Sequence, residues 1–183
     1  VAIHNQIWTA KNLDLSIFRN GDTIPQAKTE LDWLSAWIDK NPAWCYYNNE
    51  EANGMKYGKL YNWYAATDSR GLAPYGWHIP TDTEWDILIV NLGGKNNAGA
   101  AMKAAEEWEN ETASENPSGF NALSAGFRQR LFYNIGTSSY WWSSGKVNDH
   151  FSGSHGFSLQ SAKNNITKSI YSNQGLSVRC IED

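Results

Sequence analysis

The residues able to do chemistry in this 183-residue chain are few and widely separated. Its two cysteines, Cys45 and Cys180, exclude any C-x-x-C spacing, so no dithiol redox pair or zinc knuckle is written here. One long-range disulfide and two buried thiols are both open. The four histidines, His4, His78, His150 and His155, include no H-E-x-x-H arrangement, and the His150/His155 pair reads more readily as chance than as a metal site. His78, inside Gly-Trp-His-Ile-Pro-Thr, is placed to fix the turn before a helix by a hydrogen bond rather than to catalyse. With no nucleophile, acid–base pair or metal set assembled, the expectation is that the chain is not an enzyme and carries no cofactor.

Recognition chemistry is better represented. The stretch 146–174 holds six Ser, four Asn, three Lys and two His with Asp149 as its one acid, so it carries +2 in a chain of net charge −4. Phe151, Phe157 and Tyr171 interrupt it. Rings supply contact area while Ser and Asn supply adaptable hydrogen bonding, the composition of many binding surfaces. The same residues also build ordinary solvated hairpins. The expected binding set is Lys146, Asn148, Asp149, His150, Phe151, His155, Phe157, Gln160, Lys163, Asn164, Asn165, Lys168, Tyr171 and Asn173, about half of them turned outward by strand alternation.

The elements that must position this surface can be read from pattern. Residues 3–19 suggest two short strands. Residues 29–40 suggest a helix, with Leu31, Leu34 and Ile38 at helical spacing, Trp33 and Trp37 widening the stripe, and Pro42 beyond the end. Residues 53–67 mix both periods and are read as a strand leading into a turn. Residues 80–94 have both helix ends written in, with a Thr81/Glu84 capping box and a Gly93-Gly94 stop. An Ala-rich piece over 97–108 suggests a third, short helix. After residue 116, Gly, Ser and Asn punctuate short apolar runs, as in antiparallel strands. Helices followed by a β-rich half make an α+β domain spanning 1–183.

Composition narrows the class. Ten Trp, nine Tyr and six Phe imply a polar-laced core or a ring-lined surface, since indole N–H and phenol O–H groups need partners. A net charge of −4 gives no field toward nucleic acid or an anionic membrane. No apolar run approaches the length of a membrane span, and Val1 opens no signal-type segment, so a piece of a longer precursor is expected.

Several strings together resemble the signature blocks of the Fibrobacter succinogenes major paralogous domain family: PAWCYYNNEEANGMKYGKLYNWYAA, GLAPYGWHIPTDTEWDIL, LGGKNNAG, GFNALSAGFR, YWWSS and GLSVRCIED. They occur in family order over nearly the whole chain. The resemblance implies a C-type-lectin-like fold, two main helices on mixed and antiparallel sheets with a loop-rich C-terminal half, similar to formylglycine-generating enzymes and retroelement variable proteins. It also implies an extracellular setting on a bacterial cell surface, often in lipoproteins, adhesins or fimbrial tips. The reactive cysteine pair of formylglycine-generating enzymes has no counterpart here.

On that resemblance the last strand lies near the N-terminal sheet, and Cys45 with Cys180 is expected as a disulfide. Arg179 is expected in a partly buried pair. Calcium-dependent sugar binding is disfavoured, because Glu115-Asn116-Pro117 and Val147-Asn148-Asp149 only partly match the lectin strings; a loop-bound calcium ion stays open. In retroelement-diversified relatives, substitutions cluster in the stretch equivalent to 145–175, although Lys163, Lys168 and Gln174 are not products of adenine-directed change at an Asn codon. The expected function is adhesin-type recognition of a protein or glycan on another cell or host surface. A fixed scaffold domain is the alternative.

Overall fold

A computed structural model describes residues 1–109, 115–147 and 153–183. The chain opens with a two-stranded antiparallel ribbon, β1 (Ala2–Ile3) and β2 (Gln6–Ile7). An irregular passage then leads to α1 (Glu30–Ile38), which begins at a full capping box between Thr29 and Asp32. β3 (Trp44–Cys45) follows, then a short 3-10 turn, α2 (Glu51–Tyr57), β4 (Leu60–Tyr61) and α3 (Trp63–Ala66). β5 (Trp77–His78) precedes α4 (Asp82–Asn91), and α5 (Ala98–Met102) is one turn long. The remainder is β6 (Ala125–Arg128), β7 (Phe132–Ile135), β8 (Ser138–Lys146), β9 (Ser154–Gln160), β10 (Thr167–Tyr171) and β11 (Ile181–Glu182).

This is a mixed α+β architecture. Its main sheet has the order β10-β9-β8-β6-β7, antiparallel except where β6 meets β8. β11 pairs with β5, and bridges from Trp8 to Ile181 join the two ends of the chain. The capping box of α4 forms as its sequence requires, with Thr81 accepting from the Glu84 N–H, and Gly93 and Gly94 take positive φ beyond its end. Two segments differ from expectation. Residues 51–57 are helical rather than extended, because Gly54 lets the helix lie against the Tyr46 ring, where a Cβ would stand 2.1 Å from a ring carbon. The Ala-rich helix stops at Met102, as Lys103 leaves to bridge Ala122.

Strand alternation on β8 divides the core. Trp141 points into one cluster with Trp8, Trp85, Phe120 and Phe157, beneath α4 and α5. Tyr140 and Trp142 point into another with Trp44, Tyr61, Leu176 and Val178. The two β8 indoles are anchored by polar atoms: Trp141 Nε1 donates to Asn12 Oδ1 at 2.9 Å, and Trp142 Nε1 to the Tyr61 carbonyl at 2.7 Å.

The same alternation defeats the expected disulfide. Trp44 shares the cluster that holds Cys180, so its neighbour Cys45 turns to the opposite side, into a third cluster with Ala27, Trp33 and Leu60. Both thiols are free and buried. Burial raises Cys45 to about 11 and Cys180 to about 12, so both stay protonated and unreactive near neutral pH. Arg179 is also in no ion pair among the described residues. It is fully buried and donates to the carbonyls of Thr9, Phe120 and Asn121 and to Asn12 Oδ1, tying the N-terminal passage to the last strand.

Candidate ligand-binding groove

The described residues of the stretch 146–174 build the β9–β10 edge of the main sheet, and many of them serve the fold. Phe157 corrects the expected binding set: it has no exposed surface and stacks on Trp85 at 4.9 Å between centroids, because it points to the same face as Trp141. Tyr171 is half-buried and packs edge-on against Tyr140 and Trp142; Gly156 leaves room for its ring. His155 and Lys168 converge on one carboxylate. His155 Nδ1 lies 2.5 Å and Lys168 Nζ 3.0 Å from Asp82 Oδ2, while Ser143 Oγ donates to Oδ1. Burial alone would raise the Asp82 pKa, but the Ser143 and Lys168 hydrogen bonds and the nearby charges lower it, so the carboxylate stays ionised.

The Asp82 cluster contains Ser, His and Asp but not the geometry of a nucleophile. Both Ser143 and His155 point at Asp82, and Ser143 is fully buried, so among the described residues no imidazole is aimed at the hydroxyl. Its role is to fasten the β9–β10 hairpin to the first turn of α4. Gln160, Lys163 and Asn164 are exposed and Asn165 half-exposed, and the Lys163 ammonium donates to Gln160. Lys146 is exposed at the end of β8, where it borders a shallow cleft with His78 and Ser144. Asn148, Asp149, His150 and Phe151 lie outside the described residues. His78 fixes its turn as expected: its ring nitrogens sit 2.8 Å from both Glu84 of α4 and Asp183 after β11.

Uncommitted surface appears instead beside α1. Trp33 is the one buried residue of that helix, and three contacts seat it. Its Nε1 donates to the Asn173 carbonyl at 3.2 Å, its ring lies under the Arg128 guanidinium at 4.8 Å, and Gly175 offers no Cβ, which would stand 2.7 Å from the ring. Arg128, itself buried, donates to the carbonyls of Ala27 and Thr29 and so fixes the start of the helix. With Trp33 locked inward, the helical period turns Leu31, Leu34 and Ile38 outward, where they are 72%, 49% and 65% exposed.

The result is a groove of about 530 Å³. Its floor and one wall are Leu31, Trp33, Leu34 and Trp37; the facing rim is Gln129, Arg130 and Asn173, with Glu30 at one end in an ion pair with Arg130. Of the expected binding residues only Asn173 lines it. The α1 residues carried a sequence signal, the apolar stripe, but that signal reads as core. Gln129 and Arg130 carried none, since the β6–β7 turn reaches α1 only through the folded sheet.

Among the described residues no group of three or more His, Cys, Asp or Glu side chains is placed to hold a metal ion, and no helix is long and apolar enough to cross a membrane. No curated protein and no solved structure matches the chain. The model of the Fibrobacter succinogenes major domain matches residues 1–182, and the chain therefore belongs to that family.

Proposed function

We propose that this chain is a ligand-recognition domain of a bacterial surface protein, adhesin-like in role and C-type-lectin-like in architecture, and that it binds a protein or glycan ligand in the groove beside α1. One observation carries this: an open groove with an apolar floor and a few planar polar groups on its rim, the usual make-up of a binding site. The lectin-like part is supported by two main helices beside a β-rich half whose last strand pairs with β5 and bridges to Trp8 in the N-terminal passage. Family membership supports the surface setting. The reading requires no cofactor and no catalytic step.

A scaffold role would leave three large aliphatic side chains on α1 facing water without purpose, which a soluble domain rarely sustains as one continuous stripe. The test is an array of surface proteins and glycans probed with the wild-type domain and with a Leu31→Gln/Leu34→Gln variant. Specific ligands bound by the first and lost by the second are expected. Ligands retained equally by both would move the site away from α1.

A further inference from the structure

The occupant of the groove can be narrowed by the chemistry of both flanks of α1. On one flank the most exposed apolar side chains are aliphatic: Leu31 and Leu34 reach into the groove and Ile38 continues the row, while Trp33 is buried and Trp37 is half-buried against the Tyr64 ring. Sugar hydroxyls gain little from such a wall, whereas Leu, Ile or Met side chains of a polypeptide recover the apolar area that Leu31 and Leu34 leave in water. On the other flank lies a second, smaller groove of about 290 Å³, which Asp32, Ser35 and Asp39 line beneath the helix. The two grooves together present the carboxylates of Glu30, Asp32 and Asp39 against the single guanidinium of Arg130. The balance is three minus one, a net −2, and Arg130 is already spent on Glu30. Asp39 has no ion-pair partner among the described residues, and α1 has no basic residue in its last turn. A cation at that end would meet both the carboxylate and the negative pole of the helix.

We propose that the α1 groove takes an amphipathic, basic polypeptide segment, whose aliphatic side chains enter between Leu31, Leu34 and Trp37 while Lys or Arg side chains straddle the helix toward Asp32 and Asp39. This rests on the assignment of recognition to α1 made above. The apolar anchors supply affinity, and the carboxylates supply orientation and selection against acidic partners.

The experiment uses the full chain and two synthetic helical peptides with the same Leu face, one carrying Lys and the other Glu on the polar face. Binding is followed by tryptophan fluorescence and by amide chemical shifts. The Lys peptide should bind saturably, shift the amides of residues 30–38, and weaken as salt is raised. The Glu peptide should bind at least about tenfold more weakly, a difference of about 1.4 kcal/mol. Leu31→Gln/Leu34→Gln should abolish binding, and Asp39→Asn should narrow the gap between the peptides. Equal binding of the two peptides, shifts confined to other elements, or an array ligand that requires Leu31 and Leu34 yet is a glycan or an acidic protein would overturn the proposal, the last while leaving α1 as the site. Sedimentation showing self-association that is lost in the Leu variant would assign the groove to a second copy and overturn it as well. An array ligand indifferent to Leu31 and Leu34 would remove the underlying assignment instead.

Discussion

In the β9–β10 hairpin the apolar side chains are covered except Ile170, which is 53% exposed, and two polar ones are tied to α4; beside α1 three apolar side chains of one helix stand in solvent. Phe157 lies against Trp85 with no exposed surface, while His155 and Lys168 are both held by Asp82. On α1, Leu31, Leu34 and Ile38 stand in solvent, and the walls around them enclose a groove. Both regions are ordered by a single buried aromatic side chain, Phe157 in one and Trp33 in the other. They differ in what the anchor leaves over. A site for an outside partner needs groups whose interactions are not already satisfied, and α1 retains more of them.

The sharpest way to break the comparison is to remove each anchor's support. Phe157→Ala deletes a fully enclosed ring and should cost about 3–5 kcal/mol in urea unfolding. A cost near zero would mean that the hairpin is not built into the core. Gly175→Ala puts a methyl group 2.7 Å from the Trp33 ring and should cost about 1–3 kcal/mol, with altered Trp33 fluorescence as α1 is pushed outward.

A smaller effect should follow pH. Burial of His78 opposes its charged form, but the hydrogen bonds and charges of Glu84 and Asp183 outweigh it, and the pKa rises above its ordinary 6.5. The stabilisation is therefore complete below about 6.5 and is lost as pH rises through the higher folded-state value. A His78→Gln variant should thus lose more stability relative to wild type at pH 5.5–6.5 than at pH 8.5, the gap measured by thermal unfolding. A gap that grows toward alkaline pH would contradict the clamp between α4 and β11. The smallest effect belongs to Leu34→Gln, which should change stability by less than about 0.5 kcal/mol, since the side chain is half in water already. A loss comparable to that of Phe157→Ala would show that the α1 stripe is structural after all.

These elements also show what can be read before folding. The α4 ends were legible because caps are local: Thr81, Glu84, Gly93 and Gly94 act within a few residues of one another. The α1 helix was legible for the same reason, but not the direction of its stripe. Periodicity at residues 31, 34 and 38 states that an apolar face exists; whether the sheet covers it depends on Gly175 and Arg128, which lie far away in the chain. The composition of 146–174 is ambiguous in the complementary way, since small polar residues serve equally in a solvated loop and along a strand whose alternate side chains are core. The cysteines follow the same rule. The resemblance implied their pairing, but alternation on β3 set their facing and placed them in different clusters.

The central claim, that recognition belongs to α1 rather than to the C-terminal hairpin, is tested most directly by hydrogen–deuterium exchange of the domain with and without a ligand found on the array. Binding at the groove should slow exchange in residues 30–38 and 129–130 and leave 154–171 unchanged. Protection confined to 154–171, with α1 exchanging as in the free protein, would contradict it.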